Sequence, residues 1–172
     1  MTDDERLGEP LAAARAMPKG SLVILRARDK ESRAALALQM LRVVHARDLI
    51  FVIGDDPALA MRLGAHGLHL PEARASEALH WRATHSHWLI TAAAHSPAAL
   101  CRARHADAVL LSPVLATASH AGARPLGALR FRILARSCRL PVYALGGIDA
   151  HTVRQLKNAS AAGLAAIGAL SA

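Results

Sequence analysis

Glycines that end two apolar segments near the end of the chain are the first feature that indicates chemistry. The segment Pro141–Leu145 is followed by Gly146 and Gly147, and a second apolar segment that begins at Gly163 ends at Gly168. Glycine at the end of a buried strand lets the backbone approach a ligand closely and direct its N–H groups at it. In a (β/α)8 barrel, the loops after the last two strands are the usual phosphate site. The recurrence of glycine therefore favours a phosphate site over two ordinary strand-to-helix turns.

Strand-like and helix-like segments alternate along the chain, and they must position this site. Apolar runs predict seven strands, which begin near residues 22, 49, 67, 88, 108, 141 and 163. Helical patterns cover 11–17, 30–46, 57–63, 73–83, 97–104, 126–137 and 151–158. Continuous apolar strands separated by helices indicate a parallel sheet that is buried on both faces. We predict an α/β fold of the (β/α)8 TIM-barrel class rather than a doubly wound open sheet, because the glycine-ended strands come last and not first.

The strand count raises a question about closure of the barrel. A closed barrel has eight strands, whereas the sequence predicts seven. Because the first helical pattern begins at Leu11, we expect strand 1 to be missing or truncated, and we expect a short final helix after Gly168. An open barrel leaves strand edges that must be covered, and a homo-oligomer is one way to cover them. We predict a single domain over residues 1–172.

Composition and charge exclude several classes of protein. The chain is 53% apolar and 20% charged, which supports a substantial core and argues against disorder. Cys101 and Cys138 are too few for a disulfide framework, and no apolar run is long enough to span a membrane. The net charge of +8 suits phosphorylated substrates, but the arginines are scattered and lack interleaved aromatic residues, which argues against nucleic-acid binding. We expect a cytoplasmic protein.

The segment from Phe51 to Leu70 carries a resemblance to a known family. It reads FVIGDDPALAMRLGAHGLHL and resembles the thiamine-phosphate synthase and TenI-type family, whose members read roughly FIINDRVDLALAVGADGVHL there. Further matches follow in order at residues 94–96, 111–120, 126–127, 144–148 and 166–170, which resemble the family segments STHS, GPVFPTxTK, LG, AIGGI and VISAI. The likeness covers nearly the whole chain. It implies a (β/α)8 barrel, in agreement with the strand and helix pattern.

The resemblance also implies a reaction. The family synthase joins hydroxymethylpyrimidine diphosphate to a thiazole phosphate, and it releases pyrophosphate and thiamine phosphate. The pyrimidine carbon loses pyrophosphate as a cation, and the thiazole nitrogen captures it. Cations must neutralise the charge of the leaving group. The implied partners are therefore phosphorylated small molecules.

Cations and hydroxyls at family positions are the expected site for the diphosphate. The family segment QxRxK corresponds to residues 24–28, where Arg26 and Arg28 lie at alternate positions on one face of the strand. Arginine suits bidentate contact with phosphate. We expect Arg26, Arg28 and His120, which replaces a family lysine, to be the catalytic cations. Thr117 and Ser119 keep the hydroxyls of the TxT segment and are expected to bind substrate.

The remaining substrate-binding residues come from two other family segments. His95 is the histidine of the segment that resembles STHS. Gly146, Gly147 and Gly168 are all in place at the thiazole-phosphate end, with Gly168 in the segment that resembles VISAI. The thiazole-phosphate end is thus better kept than the pyrimidine and metal end.

Magnesium is the cofactor that the resemblance implies, and Asp55, the aspartate of the family ND pair, is the candidate metal ligand. The second family aspartate, in the segment GQxD, corresponds to Arg74, and a cation at that position would repel Mg²⁺. Glu72 or Asp56 is a neighbouring carboxylate that offers a replacement ligand. Asp55 is equally well explained as the N-cap of the helix that begins at Pro57.

Two functions of different class follow from these residues. The first is a synthase-type transferase, which the two arginines and the Thr117-x-Ser119 hydroxyls favour. The second is a catalytically degenerate barrel that binds a phosphorylated small molecule in a sensor or partner role, which the replacement of the second aspartate by Arg74 favours. A basic module that binds nucleic acid ranks below both.

Overall fold

Helices and strands alternate through the described part of the chain. The computed structural model describes residues 9–26, 30–117 and 124–167. Within them the strands are β1 (Leu22–Leu25), β2 (Ile50–Gly54), β3 (Gly67–Leu70), β4 (Leu89–Ala94), β5 (Ala108–Leu111), β6 (Val142–Leu145) and β7 (Gly163–Ala165). The α-helices are α1 (Pro10–Ala16), α2 (Lys30–Arg47), α3 (Pro57–Leu63), α4 (Ala78–Thr84), α5 (Pro97–Arg102) and α6 (Gly127–Ser137). All seven predicted strands are present.

The described strands form one parallel sheet in the order β1-β2-β3-β4-β5-β6-β7. Each strand pairs with the next one in the sequence, as Leu22 does with Ile50 and Tyr143 does with Gly163. A doubly wound sheet reverses its strand order at a switch point, and this sheet does not. The doubly wound alternative is therefore wrong, and the fold is a seven-stranded half-barrel of the TIM-barrel type.

Two of the expected departures from a complete barrel concern residues that the structure does not describe. A missing or truncated strand 1 concerns residues 1–8, and a short final helix concerns residues 168–172. Both expectations lie outside the described residues. The expected homo-oligomer stays a prediction.

Side chains alternate between the two faces of the sheet, and each face has its own apolar cluster. Phe51 and Ile53 of β2 pack in the larger cluster, which includes Met40 of α2 and other helix residues. Val52 faces the other way and packs with Ile24, Leu110 and Leu145 in the smaller cluster. Alternate positions of a strand share one face. Because the helix residues pack in the larger cluster, the smaller cluster lies on the concave, interior face of the half-barrel. In the described ranges, no helix is long and apolar enough to cross a membrane.

The helix predicted over 73–83 is two helices. A 3-10 helix covers Glu72–Glu77, and α4 follows it directly. Side chains three residues apart lie above one another in a 3-10 helix, and Arg74 donates two hydrogen bonds to Glu77 across this spacing, at 2.8 Å and 2.7 Å. The pair therefore favours 3-10 geometry in the segment that follows β3.

The helix predicted over 151–158 is also shorter than expected. It is reduced to the 3-10 helix Val153–Leu156. The Asp149 carboxylate accepts hydrogen bonds from the backbone N–H groups of His151 and Thr152, both at 2.8 Å, which forms a turn before the helix. Asn158 then adopts a left-handed backbone with φ of 66°, which is incompatible with a continuing helix.

Candidate functional site at the carboxyl edge of the sheet

The predicted site residues follow the carboxyl ends of successive strands. Arg26 comes directly after β1, Asp55 after β2, His95 after β4 and Gly146 after β6, while Thr117 lies in the loop after β5. Because the strands are parallel and neighbours in sequence are neighbours in space, these residues share one edge of the sheet. Four other predicted residues, Arg28, Ser119, His120 and Gly168, lie outside the described residues.

Asp55 has a strained backbone at this edge. Its φ is 55°, in the left-handed region that only glycine adopts without cost, and its N–H donates to the carbonyl oxygen of His69 at 2.9 Å. The N-cap of α3 is the next residue, Asp56, whose Oδ1 accepts a hydrogen bond from the N–H of Leu59 at 2.9 Å. The interpretation of Asp55 as the N-cap is therefore wrong, and its side chain is turned to another partner.

That partner is Arg74. The Arg74 Nη1 lies 2.6 Å from Asp55 Oδ1, and the opposite edge of the same guanidinium is bidentate on Glu77. The hydrogen bonds that Arg74 donates to Glu77, and after them the one to Asp55, outweigh burial and raise the pKa of Arg74 above its ordinary high value. The same contacts lower the pKa of the Glu77 carboxyl. A permanent positive charge is thus fixed between two carboxylates.

A second polar cluster orients His95. The Glu72 Oε2 accepts hydrogen bonds from the backbone N–H of His95 at 2.8 Å and from its ring Nδ1 at 2.7 Å. The other Glu72 oxygen accepts from Arg102 Nη2 at 2.6 Å. Burial alone would raise the pKa of Glu72, but the bonds from His95 and the charge of Arg102 lower it. Because the carboxylate only accepts, Nδ1 of His95 carries a proton, and this bond fixes the orientation of the ring.

A buried polar pair lies on the strands beneath these loops. His69 of β3 and Thr91 of β4 are register partners, both almost fully buried, and His69 Nδ1 lies 2.9 Å from Thr91 Oγ1. Burial, and after it the positive charge of Arg26, lowers the pKa of His69 to about 3. The imidazole is therefore neutral near neutral pH. Arg26 contributes its field to this part of the half-barrel.

The glycine turn after β6 is held tightly against the loop after β5. Gly146 and Gly147 have φ of 97° and 69°, and a Cβ on Gly147 would lie 2.3 Å from the carbonyl oxygen of Ala116. Both a positive φ and close packing thus require glycine at position 147. Within residues 9–26, 30–117 and 124–167, the N–H of Gly147 donates no hydrogen bond. It is a donor that an anion at this edge would satisfy.

The described carboxylates do not fit a magnesium ion. Mg²⁺ takes oxygen ligands, usually one or two carboxylates with substrate phosphates, and Asp55 already neutralises Arg74. Asp56 caps α3, and Glu72 is bonded to His95 and Arg102. Among the described residues, no group of three His, Cys, Asp or Glu side chains converges.

Comparison with known proteins decides the family. The sequence profile of the family described as thiamine monophosphate synthase matches residues 2–170. The chain belongs to the thiamine monophosphate synthase family. The resemblance drawn from the sequence is thereby confirmed.

Relatives of the family differ in how much of their length this chain matches. A putative thiamine-phosphate synthase 2 of Aquifex aeolicus is 28% identical over 97% of this chain and 93% of its own length. A thiamine-phosphate synthase of Alcanivorax borkumensis is 30% identical over 99% of this chain and 80% of its own length. For a thiamine-phosphate synthase of Synechococcus sp., which is 31% identical, the match spans only 39% of the relative's length.

A solved structure supports the fold independently. A thiamine phosphate pyrophosphorylase from Pyrococcus furiosus superposes with a TM-score of 0.78 over 99% of this chain and 85% of its own, at 20% identity. This likeness confirms the barrel-like architecture.

Sequence reasoning did not identify several contacts of the site. The partners of His95 and of Asp55 lie in the segment after β3, whereas His95 follows β4 and Asp55 follows β2. The strand order places this segment between the loops that follow β2 and β4, and only a complete topology prediction would have indicated it. The sequence gives only a weak indication of the pairing of His69 with Thr91. That indication is the presence of one polar residue in each of two adjacent apolar strands.

Proposed function

We propose that this chain is a thiamine-phosphate synthase-type transferase, which joins hydroxymethylpyrimidine diphosphate to thiazole phosphate in thiamine biosynthesis. The observation that carries the proposal is the family match over residues 2–170. The clustering of cationic and hydrogen-bonding groups at one edge of the sheet supports it. That edge, at the carboxyl ends of the strands, is where barrel enzymes hold their substrates.

The proposed reaction breaks one bond and forms one bond. The bond between the pyrimidine methylene carbon and the diphosphate oxygen breaks, and its electron pair leaves with pyrophosphate. The lone pair of the thiazole ring nitrogen forms the new carbon–nitrogen bond, and the ring becomes a thiazolium. No proton has to be added or removed. Catalysis therefore requires stabilisation of the leaving negative charge and alignment of the two rings.

The residues at the edge have roles that suit this chemistry. In the proposal, Arg26, Arg28 and His120 neutralise the leaving diphosphate, and Thr117 and Ser119 hydrogen-bond to it. His95, held by Glu72, contacts the substrate. The thiazole phosphate accepts hydrogen bonds from the turns at Gly146, Gly147 and Gly168.

A specific observation favours the second candidate, a barrel that binds a phosphorylated ligand without catalysis. Arg74 donates a hydrogen bond to Asp55, the carboxylate that was expected to bind metal. If the family reaction requires two free aspartates, this chain retains binding and loses turnover. The two candidates predict the same ligands and differ in whether product forms.

The deciding experiment supplies purified protein with both precursors and measures thiamine phosphate by its oxidised fluorescent derivative. We expect product, and we expect Arg26→Ala to lower kcat/KM by about a hundredfold, because a charge-assisted phosphate contact is lost. Arg82→Ala is the matched control, since Arg82 pairs with Asp107 just before β5, at the opposite edge of the sheet. Binding of the precursors by calorimetry with no product at high protein concentration would replace the transferase by the ligand-binding barrel.

A further inference from the structure

One arginine at the candidate site stands where the resemblance places a metal-binding aspartate. We propose that the guanidinium of Arg74 acts as a resident cation in place of a divalent metal, so that the site binds pyrophosphate without Mg²⁺. The inference rests on the proposed function for the identity of the anion, and on the described contacts of Arg74 for everything else.

The first support is the geometry that fixes Arg74. Its guanidinium is bidentate on Glu77, at 2.8 Å and 2.7 Å, and bonds to Asp55 at 2.6 Å. A planar group bonded on two sides has little rotational freedom. The positive charge is therefore pre-organised at the carboxyl edge, between the loop after β2 and the helix after β3, before any ligand arrives.

The second support is the number of donors that remain. A guanidinium has five N–H groups, and three of them make the bonds to Glu77 and Asp55. Among the described residues, one N–H on each terminal nitrogen has no acceptor. Arg74 is about one third exposed, so an anion can reach these groups. They offer a phosphate the two-point contact for which arginine is suited.

The third support is the cost that Arg74 imposes on a metal. Asp55 is the described carboxylate that comes directly after β2, and its charge is already compensated by Arg74. A divalent cation at Asp55 would have to displace the guanidinium or lie beside it. Displacement breaks the hydrogen bond between Asp55 and Arg74, and a position beside it places like charges within a few ångströms. Either way, the resident cation weakens binding of a divalent ion at Asp55.

Arg26 adds a second arginine to this edge, on the side of β1. The side chain of Arg26 packs over Gly54, where a Cβ would lie 3.3 Å from Arg26 Cγ, and Gly54 is the residue before Asp55. The ends of β1 and β2 are adjacent, with Leu25 paired to Ile53. A diphosphate has two phosphate groups, and in the proposal Arg74 binds one of them and Arg26 the other.

The test measures binding of inorganic pyrophosphate by isothermal titration calorimetry, with protein first treated with EDTA. We expect the Kd in EDTA to agree with the Kd in Mg²⁺ within about threefold, and we expect Arg74→Ala to weaken metal-free binding by at least about tenfold. Arg82→Ala removes an equally charged, ion-paired arginine at the opposite edge and is expected to bind as the wild type does. Circular dichroism and thermal unfolding establish that each variant is folded.

A second measurement uses Mn²⁺ as the probe of metal binding. Wild-type protein with pyrophosphate should not enhance the relaxation of water protons by Mn²⁺ beyond that of Mn²⁺-pyrophosphate alone. Arg74→Asp should do so, because it places a third carboxylate beside Asp55 and Glu77. If Arg74→Ala does not fold, Arg74→Lys takes its place, because lysine keeps the charge but lacks the paired N–H donors of the guanidinium. A metal-free Kd for Arg74→Lys between that of the wild type and no binding supports the proposal.

Three outcomes would overturn the inference. They are pyrophosphate binding that appears only with Mg²⁺, metal-free binding that survives Arg74→Ala, and no pyrophosphate binding in either condition. The product assay is independent of these results. If pyrophosphate binding depends on metal and thiamine phosphate forms, the proposed role of Arg74 is wrong and the proposed transferase stands. If binding is metal-free and no product forms, the proposed transferase is wrong and the role of Arg74 stands.

Discussion

At the scale of single residues, the site is organised by carboxylates that are committed to specific partners. Asp55 holds Arg74, Asp56 caps α3, and Glu72 fixes the ring of His95. Each of these carboxylates is adjacent in sequence or in space to a position where the family resemblance implies a metal ligand or a substrate contact. A change of one residue, from the family aspartate to Arg74, therefore alters what the neighbouring carboxylates can bind.

The buried imidazole of His69 gives the first prediction at this scale. The pKa of His69 is lowered to about 3 in the folded protein, while the unfolded chain binds the proton near the ordinary value. The unfolded state therefore gains protons first as the pH falls, and the folded state is destabilised below about pH 6.5. Between about pH 7 and about pH 5, the free energy of unfolding should fall by about 2 kcal/mol more in the wild type than in His69→Gln.

Urea unfolding at the two pH values measures this difference. His69→Gln is expected to be less stable overall, because the variant must rebuild the bond to Thr91, so the pH dependence and not the stability is the readout. His45→Gln, at an exposed position of α2, should keep the wild-type slope. Parallel pH profiles for the wild type and His69→Gln would contradict the assignment of a neutral, buried imidazole.

At the scale of elements, the short helices α3 and α5, which follow β2 and β4, help to position the site, and side-chain caps stabilise their first turns. α3 begins at Pro57, with its Asp56 cap bonded to the N–H of Leu59, and α5 begins at Pro97, with Ser96 bonded to the N–H of Ala99 at 3.2 Å. Proline at the first helical position needs no partner for its nitrogen. Caps of this kind fix where each helix leaves the edge that carries the site.

The α3 cap carries the second prediction. Asp56→Ala removes the acceptor for the N–H of Leu59 and should lower the free energy of unfolding by about 1 kcal/mol. Asp56→Asn keeps an acceptor oxygen and should retain most of the stability, although it loses the charge that faces Arg33 at 3.6 Å. Denaturant titration of both variants makes the comparison. If Asn is as damaging as Ala, the contribution is the ion pair and not the cap.

Most elements were predictable from the sequence, because local signals identify them. A short apolar run rich in β-branched and aromatic residues, such as Ile50–Gly54, favours a buried strand, and Pro57 marks a helix start. The split of the helix over 73–83 was not predictable from periodicity, because it depends on the pair between Arg74 and Glu77. The partner of Asp55 was hidden for a related reason, since it depends on which loops the finished sheet brings together.

At the scale of the whole molecule, the half-barrel is stabilised mainly by the apolar layer between the sheet and its helices. Phe51 of β2 is fully buried there, in the same layer as Met40 and Leu68. The interior layer around Val52 is smaller, and it gives way to the polar pair of His69 and Thr91. Apolar packing on the outer face of the sheet therefore provides most of the stability, and the inner face is available for chemistry.

Removal of the Phe51 ring should test this division. Phe51→Ala leaves a large cavity in the outer layer and should lower the free energy of unfolding by about 3–5 kcal/mol, with an unchanged dependence on denaturant. Leu129→Ala is the control, because Leu129 lies on α6 with 64% of its surface exposed, and it should change stability by less than about 0.5 kcal/mol. Both are measured by urea titration at several protein concentrations.

If Leu129→Ala is costly and its cost grows with protein concentration, a second copy of the chain covers α6, and the expected homo-oligomer contributes to stability alongside the outer layer. If Phe51→Ala is nearly neutral, the outer layer is not the main source of stability, and the inner face must bear it instead.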